Sequence, residues 1–311
     1  MALLNFRKKA APKVNSSEVE AFLKGYSIEV MPRTAEKVDD FRHYLAEGTR
    51  VYIAHIEATP IEDMVATAKR IAAEGYDVMP HFPARIIKDK ATLGDWIARY
   101  QGEAGVKQAL LLAGGVATPH GDFHSSMQLM ETGLFDKAGF TNLHVAGHPE
   151  GNKDIDPDGG DAAVMDALRW KNSFNERTDA TMALATQFAF EAKPIIAWVD
   201  ALQAEGIDLP VHIGIAGPAK LQTLIKFAIA CGVGPSLKVL QKRAMDVTKL
   251  LLPYEPTEVI AELAAYKATN PDFGIEQVHF FPLGGIKANA TWAIENGGEG
   301  TAPARPAAAV V

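Results

Sequence analysis

The chain has one cysteine, Cys231, in 311 residues. That excludes a disulfide framework and any cysteine-rich metal centre, and it points to a cytoplasmic protein. Long apolar runs are also missing. None approaches the roughly 18 residues that a bilayer-spanning helix needs, so no membrane partner is expected. The basic opening stretch, Met1 to Lys13, lacks the apolar centre of a signal peptide. Positive charge is in deficit, with 31 Lys and Arg against 38 Asp and Glu and a net charge of −7. No Lys/Arg cluster dominates any stretch, which argues against nucleic acid as a partner.

What remains is the profile of a globular protein, 48% hydrophobic and 22% charged. Residues 1–18 are polar, with little periodicity, and read as a flexible segment. Residues 297–311, GGEGTAPARPAAAVV, read as a disordered tail. Between them, residues 19–296 show no linker and form one catalytic domain. Short apolar runs recur at Ser27–Pro32, Arg50–Ile56, Asp77–Pro83, Gln108–Gly114, Asn142–Pro149, Thr181–Gln187, Pro210–Gly217 and Gln277–Gly284. Several are apolar almost throughout, as strands covered on both faces should be. Helical spacing lies between them. Ile61, Met64, Val65, Ala68, Ile71 and Ala72 share one face, behind a capping box at Thr59-Pro60-Ile61-Glu62. A second helix opens at Pro218 and stops at Gly232. Strands alternating with helices predict a parallel sheet. Their number and the chain length predict an α/β fold, a single (β/α)8 TIM barrel. An open doubly wound sheet is the rival, but the first strand runs into Met31-Pro32-Arg33-Thr34 with no Gly-rich turn.

In such a barrel the active site lies at the C-terminal ends of the strands. Reading those ends in order gives Glu29, then His55 and Glu57, His81, Gly114 and Gly115, His148 and Glu150, Gln187, Gly217, and Phe281 with Gly284 and Gly285. Glu29 stands out because a carboxylate inside an apolar run is costly to bury. It is either a paired structural ion or a functional acid. His81 is either a hydrogen-bonded core residue or part of the site. His55 and Glu57 alternate and should point the same way. His120 and His124 have i, i+4 spacing, but they sit in a Pro/Gly segment without an H-E-x-x-H pattern, so no metal site is expected. Cys231 lies near the end of an apolar helix face and is expected in the core.

Read in order, these segments resemble the methylenetetrahydrofolate reductase family over roughly residues 27–294. SIEVMPRTAE is similar to the family's F-E-F-x-P-P-K-T opening, and MPHFPAR to its third-strand P-H-L stretch. NLHVAGHPEGN is similar to V-A-x-Y-P-E-x-H, and VHFFPLGG to H-F-Y-T-L-N-R. The block ALATQFAFEAKPIIAWVDALQAEGIDLPVHIGIAG is similar to I-T-Q-x-F-F-D…G-I-x-x-P-I-x-x-G-I. The resemblance implies reduction of 5,10-methylenetetrahydrofolate to 5-methyltetrahydrofolate by NADH or NADPH, with Glu29 as the catalytic acid. It places Gln187, Phe227 and Phe281 on the folate side, and His55, His81, Gly114, Gly115, His148 and Glu150 on the cofactor side. Typical members carry FAD. Here the family's L-R-G-D reads Leu112-Ala113-Gly114-Gly115, the terminal N-R reads Gly284-Gly285, and T-x-G-A reads His55-Ile56-Glu57-Ala58. The departures gather on the flavin side. The expectation is therefore that FAD binds weakly or not at all, with hydride passing directly from the nicotinamide. A folate-dependent methyltransferase and a folate-binding protein are the other readings of the same barrel, and a homo-oligomer stays open.

Overall fold

The structure is a computed structural model that describes residues 16–245 and 253–300. Eight strands follow one another around a closed, all-parallel barrel, each bonded to its neighbours in sequence and β8 to β1. They are β1 (Ser27–Val30), β2 (Arg50–Ile53), β3 (Asp77–Pro83), β4 (Gln108–Leu112), β5 (Asn142–Gly147), β6 (Thr181–Ala189), β7 (Val211–Ala216) and β8 (Ile275–Phe281). The helices are α1 (Ser16–Leu23), α2 (Pro32–Ala35), α3 (Ile61–Ala73), α4 (Lys90–Ala104), α5 (Ser126–Glu131), α6 (Leu134–Lys137), α7 (Ala162–Asn175), α8 (Ala192–Ala204), α9 (Leu221–Ala230), α10 (Gly234–Ala244), α11 (Thr257–Thr269) and α12 (Ile286–Glu295). The (β/α)8 barrel expected from the alternation is the fold observed. Helix α1 starts at Ser16, inside the segment read as flexible. Residues 1–15 and 301–311 lie outside the described residues.

The main core lies between the barrel and its helices. On α3 the expected face is buried through Met64, Val65, Ala68 and Ile71, with Glu62 and Asp63 in the first turn, where the helix dipole favours them. The capping box does not form. Pro60 occupies the N-cap and has no side chain to bond a backbone N–H. Helix α9 likewise begins at Leu221 rather than Pro218, because Ala219 is held in an antiparallel bridge with Tyr254. That bridge closes the base of an excursion after β7 in which α9 and α10 pack together. Their apolar faces meet Phe188, Phe190 and Ala216 in a second, smaller core.

Inside the barrel the apolar content is small. Tyr52, Met79, Leu110 and Ala185 form its cluster, with Leu112 against them. Beside it lie several buried polar side chains, Ser27, His144, His212 and His279.

Strand β6 carries the fold's main irregularity. Its pairing with β7 shifts between Ala185 and Phe188. The Thr186 hydroxyl holds the bulge by accepting from the Gly214 N–H at 2.8 Å and donating to the Gln187 carbonyl at 2.9 Å. Gly214 is required there, because a Cβ would lie 2.5 Å from the Thr186 and Gln187 carbonyl oxygens. Gly214→Ala should force these strands apart and destabilise the barrel by about 1–3 kcal/mol. Thermal unfolding would register this as a Tm lower by several degrees. An unchanged Tm would contradict the close approach.

Candidate functional site

Glu29 leaves the end of β1 and stands between two imidazoles. Its Oε2 is 3.3 Å from His81 Nε2 on β3 and 3.8 Å from His279 Nε2 on β8. The first is an ion-pair contact slightly longer than a good hydrogen bond. The Glu29 side chain is 18% exposed and that of His279 only 1%, so the carboxylate faces the opening while His279 lies beneath it. Burial works to raise the Glu29 carboxyl pKa. Hydrogen bonding and charge from His279 and His81 outweigh that and hold it at about 2. Burial alone would favour a proton on Glu29, and the two imidazoles reverse that preference. The resting carboxyl is an anion.

Below this cluster lies a layer that the sequence reading missed. The Ser27 hydroxyl meets His279 Nδ1 at 2.9 Å. The Tyr52 phenol is 2.6 Å from His144 Nδ1 and 3.4 Å from His212 Nδ1. The Tyr52 ring also packs on His279, with centroids 4.2 Å apart. His212 Nε2 reaches Glu276 Oε2 at 2.9 Å. Burial lowers the His144, His212 and His279 pKa values below the ordinary 6.5. These histidines share one sequence signal: each is the lone polar residue in an apolar run, as in Leu143-His144-Val145, Val211-His212-Ile213 and Val278-His279-Phe280.

The other expected site residues divide. Phe281 ends β8 with its ring edge-on to His279 at 4.9 Å and to Phe188 at 5.4 Å. Phe227 on α9 is half-buried against the same small core that Phe281 packs on. The bulge turns Gln187 out, exposed, near the C-terminal end of β6. Gly114 has φ +96° and sits against Pro83, two residues past His81, while Gly115 is exposed. His148 is half-buried, with Nδ1 3.4 Å from Asn152 Nδ2. Burial, and then the charge of Lys171, lower its pKa to about 4.

Three residues have work elsewhere. His55 stacks on Trp96 at 4.9 Å and donates from Nε2 to the Thr59 carbonyl at 2.9 Å. Glu57, expected to point the same way, is exposed and pairs with His120 at 3.1 Å. Strand β2 ends at Ile53, so strand alternation does not reach either. Glu150 accepts from the Ser236 hydroxyl at 2.5 Å and the Ser236 N–H at 3.0 Å, anchoring the start of α10. His120 and His124 are not helical, and no cluster of three His, Cys, Asp or Glu residues suited to a metal occurs among the described residues. Cys231 caps the end of α9 and is exposed, not in the core. No helix among the described residues is long and apolar enough to cross a membrane.

No protein-family model matches the chain. Among solved structures it is similar to an uncharacterized protein from Clostridium thermocellum that binds two copies of 5-methyl-5,6,7,8-tetrahydrofolic acid. The TM-score is 0.54 at 9% identity, over 90% of this chain and 97% of that one. At that identity the likeness establishes the barrel alone. An intracellular xylanase from Thermoanaerobacterium saccharolyticum gives a TM-score of 0.40 at 12% identity, over 86% of this chain and 89% of its own, and carries no argument.

The buried imidazoles set a pH dependence. With folded pKa values below 6.5, the unfolded chain binds more protons, so stability is full above about 6.5 and is lost as pH falls. Glu29 adds the same sign lower down, since its stabilisation is present above 4.5 and lost toward about 2. Urea midpoints should therefore fall steadily from about pH 7 through about pH 4. A midpoint flat to about pH 5 would show that the imidazoles are not buried in neutral form.

Proposed function

We propose that the barrel mouth binds a reduced folate and protonates it, and that the chain reduces 5,10-methylenetetrahydrofolate to 5-methyltetrahydrofolate. The observation that carries this reading is the Glu29 carboxylate held between His81 and His279 at the C-terminal opening. Opening the one-carbon bridge of that substrate requires a proton at a ring nitrogen, and a carboxylate–imidazole couple holds one transferable proton at a stated place. Gln187, exposed beside the opening, offers the paired donor and acceptor that a pterin edge needs. Phe227 and Phe281 supply aromatic faces. The folate-binding neighbour, aligned over nearly all of both chains, supports the choice of ligand.

FAD does not fit the residues present. Of the positions assigned to it, His55 is turned onto Trp96, Glu150 is bound to Ser236, and Gly114 and Gly115 have no side chains. His81 faces Glu29. Hydride then comes from a nicotinamide acting as second substrate, laid against the folate. The chain's own task is to orient both and exclude water.

NADH and NADPH oxidation by flavin-free protein with 5,10-methylenetetrahydrofolate tests the reading, with turnover expected. Folate binding without oxidation would favour the methyltransferase or folate-binding alternatives. Glu29→Gln should lower turnover roughly 10²–10⁴-fold and leave the folate Kd within about an order of magnitude. Turnover near that of the parent protein would return Glu29 to a structural role. A purified protein with stoichiometric FAD, inactive once it is removed, would overturn direct transfer.

A further inference from the structure

Barrel interiors are ordinarily filled by layers of branched aliphatic side chains. Here the axis carries a column of groups able to accept and release protons. From the mouth downward it runs Glu29, His279, Ser27, Tyr52, His212 and Glu276. The contacts are 3.8 Å from Glu29 to His279, 2.9 Å from His279 to Ser27, 3.4 Å from Tyr52 to His212, and 2.9 Å from His212 to Glu276. Ser27 also faces the Tyr52 phenol. Only the two ends are open to solvent. The Glu276 side chain is 60% exposed and that of His212 3%. Glu276 borders a cleft at the opposite end of the barrel, shared with Lys267 and Asp272.

We infer that this column is a proton relay, which resupplies the Glu29–His81 couple from solvent at the far end of the barrel while ligands cover the mouth. The inference rests on the proposed reading of the mouth as a proton-delivering folate site. The chemistry of each member suits the task. A neutral imidazole has one donor nitrogen and one acceptor nitrogen, so a proton taken on one side can be released on the other. To pass a proton upward, His212 accepts at Nε2 from Glu276 and releases its Nδ1–H proton to the phenol oxygen. Tyr52, which also meets His144, takes that proton on its phenol oxygen while its hydroxyl switches its own proton from the imidazoles to Ser27. His279 gives its Nε2–H toward Glu29 and accepts from Ser27 at Nδ1. For each proton the substrate nitrogen gains, Glu276 takes one from water; the imidazoles end as their other tautomers and the hydroxyls reversed, and tautomer exchange with hydroxyl rotation resets them before the next proton passes. The step from His279 to Glu29, at 3.8 Å, closes with a shift of about 1 Å.

The charges around the column favour neutral carriers. Arg50, bonded to Gln108 at 2.7 Å, faces Tyr52, His144 and His212 from β2 and disfavours extra positive charge on them. Lys267 on α11 faces Glu276. His81 faces His279 from the mouth side, and Glu29 faces both.

Two variants test the relay. Glu276→Gln changes an exposed group far from the mouth. Tyr52→Phe keeps the ring and removes the switching hydroxyl. Both should lower kcat roughly 10–100-fold, at or below the worth of a positioned proton-transfer group, with KM for the folate within about two-fold, and Glu276→Asp should restore most of it. A second measurement needs no substrate. Exchange of the ring N–H protons of His144, His212 and His279 with water, read from ¹⁵N signals of the free protein, should slow several-fold in both variants. Unchanged exchange in both overturns the relay whatever the protein turns over. Slowed exchange with unchanged kcat overturns its role in proton supply. Slowed exchange in a protein that turns over no folate keeps the relay and retires the proposed reaction.

Discussion

A carboxylate inside a closed barrel must be answered by donors, and much of this molecule's interior follows from that constraint. Leaving Glu29 without partners would cost far more than a lost hydrogen bond. His81 and His279 answer it from the third and eighth strands. Placing His279 there creates a second demand, because its other nitrogen also needs a partner, and Ser27 meets it. Tyr52, packed on His279, in turn meets His144 and His212, and the series ends only where Glu276 reaches solvent. Each polar group is there to satisfy the one before it. The apolar remainder of the interior is Tyr52, Met79, Leu110 and Ala185 with Leu112, so most burial energy must come from the layer between sheet and helices.

The rim is tied together in the same way, by groups that have several partners. Arg85, just past β3, donates to the Val116 and His124 carbonyls at 3.1 Å each and pairs with Asp154 at 2.7 Å. It therefore joins the loops that follow three different strands. Glu150 carries the fifth loop across to α10, and the Ala219–Tyr254 bridge closes the base of the α9–α10 excursion. A mouth cross-linked this way holds its side chains in place before any ligand arrives, which is what orientation in catalysis requires.

The fold was legible in the sequence because buried parallel strands are apolar nearly throughout. Strand β3 has the bounds read from its sequence, and β6 runs two residues further, past its bulge, to pair Phe188 and Ala189 with β7. The same property hid the polar column. In an all-apolar run neither face is marked as interior, so His144, His212 and His279 looked like isolated polar residues. Closing the barrel is what sets their side. Register pairs Ser27 with His279 and Gly214 with His279 across strands distant in sequence. Glu276 was missed for a different reason: β8 begins at Ile275, ahead of the apolar run that announced it. His55 was misread because alternation was carried past Ile53 into a loop, where Trp96, far along the chain, decides the ring's direction.

The positions that depart from the flavin-dependent pattern are not simply vacated. His55 holds the loop after β2, Glu150 holds α10, and Gly114 fits where a Cβ would meet Pro83 at 3.0 Å. On the reading proposed above, side chains engaged in the fold in this way leave little for a large cofactor to bind. On that reading, the mouth takes two flat ligands at once and must exclude water from between them. Excluding water removes the ordinary source of the proton that opens the bridge. A barrel that solves the first problem by covering Glu29 therefore meets a second, and a polar axis reaching Glu276 at the opposite end is the feature of this interior that addresses it.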